Sequence, residues 1–112
     1  MSPLRLIETT PGAFSLLLGA GETQVDEVIE DLGHEPNGYF WDGIAQFLVA
    51  TEASALEGRF SYDSEGGMFC AYGKDRTALQ ELAALMGAVA TDEDRLRKLV
   101  ESAVASGFEF DD

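Results

Sequence analysis

The residues of this chain that could do chemistry are few, and their spacing does not suit it. A covalent hydrolase needs a nucleophile, a base and a group that orients the base. The only histidine, His34, stands beside the Pro36 turn, where a lone loop histidine reads as a surface residue. The only cysteine, Cys70, sits in the middle of MFCAY and reads as a buried small hydrophobe. The two lie 36 positions apart and match no zinc-ligand spacing. Asp63-Ser64-Glu65-Gly66-Gly67 is the densest run of oxygen ligands, yet it lacks the ligand number and spacing of a calcium-binding loop. Gly19 and Gly21 lack the companions that a phosphate-binding loop requires. No catalytic, cofactor-binding or metal-ligating residue is therefore assigned. A carboxylate pair serving a small hydrolase stays open as an alternative, because side-chain separations are not visible in a sequence.

Charge is the strongest compositional signal. Seven basic residues stand against 21 acidic ones, a net charge of −14. Residues 1–58 hold one basic residue, Arg5, and ten acidic ones. Such a field repels nucleic acid and anionic membranes, and it speeds encounter with basic proteins. Solubility alone also accounts for it. The 112 residues, 46% hydrophobic and 10% aromatic, are those of one globular domain spanning 1–112. No segment resembles a signal peptide, a single cysteine fits a reducing compartment, and the expected location is cytoplasmic.

The elements that must position these side chains are organised around Gly38–Thr51, GYFWDGIAQFLVAT. Phe40, Ile44, Phe47 and Leu48 recur at helical spacing, as do Trp41, Ala45, Leu48 and Val49, so the helix is apolar nearly all round and central. At about 14 residues it is too short for a membrane span, which needs roughly 20. It starts after the turn Pro36-Asn37-Gly38, and Asp42, Gln46 and Tyr39 supply its polar contacts. Gly43 in mid-helix marks close packing against a strand or another helix, or close approach of a partner. Strands are expected at Leu4–Glu8 and Ala13–Leu18 around Pro11-Gly12, and at Arg59–Asp63 and Met68–Tyr72 around the 64–67 turn. Thr23 caps a short helix whose outer face carries Asp26, Glu27, Glu30 and Asp31. Asp75 caps a third helix, and Thr91–Asp94 resembles a capping box for a fourth. Phe108 and Phe110, alternating with Glu109 and Asp111, form a final strand or a packed tail. The order β-β-α-α-β-β-α-α gives an α+β fold, an antiparallel sheet of two hairpins with helices on one face.

Three stretches carry a resemblance to a known family. They are Gly38-Tyr39-Phe40-Trp41-x-Gly43, the run from Tyr62-Asp63 through Gly67-Met68-Phe69-Cys70-Ala71-Tyr72-Gly73, and a helix opening Asp75-Arg76-x-x-Leu79. With them the chain resembles the Immunity protein 51 family, small bacterial proteins of polymorphic toxin systems, from the first hairpin to the last helix. The resemblance implies a cytoplasmic protein that binds and blocks a cognate toxin and has no enzymatic activity. The acidity agrees with a basic toxin partner. Tyr39, Trp41, Asp42, Asp63 and Glu65 are the expected partner-binding residues, with the acidic face of the first helix as a second surface. A rival reading is an acidic interaction or regulatory domain that acts as a homodimer, built on a sheet edge or on exposed aromatics.

Overall fold

A computed structural model describes residues 3–110. Its elements are β1 (Arg5–Thr10), β2 (Ala13–Gly19), α1 (Asp26–Asp31), α2 (Gly38–Glu52), a 3₁₀ turn (Ser54–Leu56), β3 (Ser61–Tyr62), β4 (Met68–Gly73), α3 (Arg76–Ala90) and α4 (Glu93–Ala105). The expected α+β fold and element order are the ones found. The four strands form one antiparallel sheet in the order β1-β2-β4-β3. The first hairpin turns at Pro11-Gly12, and Gly12 adopts φ +81°, which a side chain would disfavour.

Strand alternation separates two very different faces. Leu16 and Leu18 of β2 and Phe69 and Ala71 of β4 point inward and are buried. Against them α2 packs on β4, and α3 packs on β1, β2 and β4, while α4 lies on α3 and α1. Phe40, Trp41, Ile44, Ala45 and Leu48 of α2 are wholly buried, so this helix is central, as its two apolar stripes require. The Trp41 indole N–H finds no hydrogen-bond acceptor among the described residues, so packing volume is what holds the ring there. Leu56 folds back into the core from the 3₁₀ turn. No helix is long and apolar enough to cross a membrane among the described residues.

Local chemistry at the helix ends departs from the sequence reading in two places. Thr23 does not cap α1; its hydroxyl donates to Asp26 Oδ1 at 2.5 Å, and the helix begins after Val25 with no side-chain cap. The cap of α4 is Asp92 rather than Thr91. Asp92 Oδ1 accepts from the Asp94 and Arg95 amides at 3.0 and 3.2 Å. The Thr91 hydroxyl instead donates back to the Gly87 carbonyl at 2.7 Å and so closes α3. The Asp75 cap is as expected, accepting from the Ala78 amide at 3.0 Å. That bond, and then the Arg59 guanidinium at 2.7 Å, hold the Asp75 carboxyl below its usual range.

Two glycines of α2 fix what surrounds it. The Gly38 amide donates to the Gly66 carbonyl at 3.0 Å, and a Cβ on Gly38 would fall 1.9 Å from the Glu65 carbonyl oxygen. The first turn of α2 therefore sits directly on the β3–β4 turn. Gly43 makes room for the chain's end, since a Cβ there would lie 2.6 Å from the Phe110 ring. The close packing expected at Gly43 exists, but against a tail rather than a strand or helix. Phe110 stacks on Phe40 with centroids 5.1 Å apart, and Phe108 tilts against Phe47 at 5.5 Å. Residues 108–110 are thus a packed tail and not a strand; Asp111 lies outside the described residues. His34 is half-buried against Phe40 and Phe110, not a free surface residue.

Candidate functional site

Three segments converge beside the exposed edge of α2. The helix contributes Tyr39, Asp42, Gly43 and Gln46; the start of the second hairpin contributes Tyr62, Asp63 and Ser64; the tail contributes Phe108 and Glu109. Together they line a cleft of about 380 Å³. It continues past Gln46, Tyr62 and Phe108 into a second hollow of about 390 Å³ that adds Val49, Ala50 and Glu57. Neither wall includes a lysine or arginine, whereas Asp42, Asp63, Glu57 and Glu109 all line the groove.

A hydrogen-bond relay holds the groove's floor in shape. Ser64 Oγ donates to Asp42 Oδ2 at 2.6 Å and accepts from the Cys70 amide at 3.2 Å. Gln46 Nε2, one helical turn along from Asp42, donates to Asp42 Oδ1 at 2.5 Å. Each Asp42 oxygen therefore accepts a hydrogen bond, which fixes the orientation of the carboxyl group. Across the groove Tyr62 is held as a neutral phenol. Its burial, then the Asp42 charge, then the Glu57 charge push its pKa up to about 12. A phenol, the oriented Asp42 carboxylate and the further acidic side chains Asp63, Glu57 and Glu109 thus stand beside the Tyr39, Tyr62 and Phe108 rings, an arrangement chemically able to accept a cation with an apolar stem.

Asp63 continues this surface around the edge of the sheet. It also lines a smaller hollow of about 190 Å³ with Leu17, Glu65, Met68 and Cys70 on the face away from the helices. Of the five residues expected from the sequence, Tyr39, Asp42 and Asp63 thus meet in one groove, and Glu65 lies next to it across Asp63. Trp41 does not belong there. It is wholly buried, on the core side of the helix whose other side carries Asp42, so it cannot touch a partner directly. Adjacent helical positions point about 100° apart, which is why Trp41 and Asp42 cannot share a surface. The second candidate surface, the acidic face of α1, lines neither the groove nor the sheet hollow, and α1 packs against α4.

Cys70 also departs from expectation. It is partly exposed on the outer sheet face rather than buried in the core. Burial and the Asp63 and Glu65 charges push its thiol up, against a hydrogen bond with Ser15, and so favour the protonated form. Tyr62, Ser64, Glu57, Phe108 and Glu109 line the groove and were not among the residues expected from the sequence. Nothing in one dimension brings the tail to α2. The pair Asp42 and Gln46 did carry a signal, as two polar residues four apart in an otherwise apolar helix. Among the described residues no group of three or more His, Cys, Asp and Glu is placed to hold a metal ion.

No curated protein and no solved structure matches the chain significantly. The family model of Immunity protein 51 matches residues 4–105, from the first strand to the last helix. That span takes in all four strands and all four helices, together with every groove-lining residue except Phe108 and Glu109. The match exceeds nine-tenths of the 112 residues, and the chain is a member of the Immunity protein 51 family.

Proposed function

We propose that this protein neutralises a cognate bacterial toxin by binding it, without catalysis, in the cytoplasm of the cell it protects. Family membership is the observation that carries the reading. The partner is a basic toxin domain of a polymorphic toxin system, and Tyr39, Asp42, Asp63 and Glu65 are the contact residues, with Trp41 supporting the helix from beneath. What supports this finer part is the lining of the groove, where carboxylates gather with aromatic rings and no basic side chain neutralises them. An arginine or lysine of the toxin laid along Tyr39 and Phe108 would reach the Asp42 and Asp63 carboxylates. The net charge of −14 would also raise the rate of encounter with such a partner.

The test is a titration against the toxin domain encoded by the adjacent gene, at low and high salt, with the wild type and an Asp42→Asn/Asp63→Asn double variant. Tight binding that weakens as salt rises, and about tenfold or greater loss in the double variant, is the expected result. Tight binding indifferent to both salt and the double substitution would remove the groove from the account while leaving toxin neutralisation in place. Absence of binding would end the reading.

A further inference from the structure

The helices cover one face of the sheet only. The other face should be polar if water is its permanent neighbour. Its middle instead carries Leu17, Cys70, Tyr72 and Met68, with Ser15 among them. Register places Ile7, Ser15, Tyr72 and Ser61 in one row across the four strands, and Arg5, Leu17 and Cys70 in the next. The Asp63 amide donates to the Cys70 carbonyl at 2.9 Å, which sets Asp63 at the end of that second row. Gly19 pairs with Met68 and Met68 with Glu65 in the third. Among the described residues, Ile7 at 41%, Met68 at 36% and Tyr72 at 45% exposure are three of the five large hydrophobic side chains that the fold leaves open. Leu17 of β2 and Met68, Cys70 and Tyr72 of β4, flanked by Ile7 of β1, thus make a largely apolar strip with Ser15 within it, Arg5 at its β1 edge and the carboxylates of Asp63 and Glu65 at its β3 edge.

We infer that this uncovered sheet face is the apolar half of the toxin interface, continuous through Asp63 with the acidic groove. The inference rests on the toxin-binding reading and adds to it the surface that desolvates. Size argues for the combination. Four strands about 4.8 Å apart and some five residues long make a patch of roughly 300 Å². A stable interface needs about 800 Å² from each partner, so the face alone is too small to hold a second copy of the chain. A partner that bends around the β3–β4 edge covers the face and the groove together. Charge selects the same occupant. A second copy would bring another −14, and its most basic element, α4, offsets Arg95, Arg97 and Lys98 with Glu93, Asp94 and Glu101. The partner that fits has an apolar patch bordered by lysine or arginine, the side chains that Asp63 and Glu65 would meet.

Cys70, at the centre of this face, is a built-in reporter. Its alkylation rate by a maleimide is measured at about pH 8.5, near the ordinary thiol pKa, with and without the toxin domain of the adjacent gene. The affinity of an Ile7→Thr/Tyr72→Thr variant is measured alongside; both side chains are exposed and threonine suits a strand, so the fold is retained. Slowing of Cys70 alkylation by ten-fold or more in the complex, with about tenfold or greater loss of affinity in the variant, is the expected result. Wild-type binding with Cys70 still freely alkylated and the variant undiminished would overturn the inference while sparing toxin neutralisation. A toxin that does not bind at all would overturn both. Sedimentation showing a dimer that Ile7→Thr/Tyr72→Thr dissociates would give the face to a second copy and likewise overturn it.

Discussion

Replacing Gly38 by alanine probes the joint on which both the fold and the candidate site depend. The first turn of α2 sits so close to the β3–β4 turn that an added Cβ would lie 1.9 Å from the Glu65 carbonyl oxygen and 2.5 Å from that of Met68. Those are backbone atoms, so no rotamer change can relieve the clash, and the hairpin must move away from the helix. Moving it strains or breaks the bond from the Gly38 amide to the Gly66 carbonyl, a loss of about 1 kcal/mol. Forcing extra volume into a packed contact costs a further ~1–3 kcal/mol. The better helix propensity of alanine returns at most about 1 kcal/mol. The net destabilisation is about 1–3 kcal/mol. With an unfolding entropy near 2.1 cal/mol/K per residue, this chain should lose about 4–13 °C in Tm. Calorimetry or circular dichroism reads the shift. Gly67→Ala in the same turn is the control, since nothing lies within 4 Å of its Cβ position and its Tm should stay within about 2 °C. A Gly38→Ala protein melting with the wild type would refute the close approach itself, and with it the positioning of Ser64 against Asp42. Affinity for the toxin should fall in parallel, because the moved hairpin carries Asp63, Ser64 and Glu65.

Gly43→Ala should displace the tail by driving a Cβ into the Phe110 ring, lowering Tm; in a Phe110→Ala background the same substitution should become neutral or stabilising, and additive effects in that double-mutant cycle would contradict the contact. Tyr62 sets a pH dependence. Its folded pKa of about 12 lies above the ordinary 10.0, so its contribution to stability is intact below pH 10 and is lost as pH rises from there through about 12, a window in which the unfolded chain ionises first. Partial exposure screens the effect, so a modest slope is expected in urea unfolding across that window, and Tyr62→Phe should flatten it; an unchanged slope would show that the phenol is not held neutral by burial, Asp42 and Glu57.

Much of the architecture was legible because it rests on local periodicity. Two apolar stripes at helical spacing made α2 central, and the Ser64–Gly67 turn signal before the apolar run MFCAY placed β4 as a return strand. The caps went astray by one or two residues, at Thr23 and Thr91. Several short polar side chains stand near each helix start, and the backbone geometry that chooses among them is not written in their order. The candidate site was half legible. Asp42, Asp63 and Glu65 were read as exposed because helix starts and hairpin tips carry solvated carboxylates. Trp41 was misplaced because a surface anchor and a core tryptophan have the same sequence signature when both flanks are apolar.

The sequence by itself determined the element order, the acidity, the absence of a recognisable catalytic triad or zinc motif and the resemblance to the Immunity protein 51 family. These depend on residue type and short-range spacing. Only the tertiary structure decided that Phe108 and Phe110 return to Gly43, that Ser64 reaches Asp42 across 22 positions, and that one sheet face stays bare. The physical reason is one of range. Hydrophobic burial is non-directional, so a pattern can say that Leu17 or Phe110 seeks cover but not which surface provides it. That choice falls to long-range packing, where a missing Cβ at Gly43 can decide the place of a whole tail.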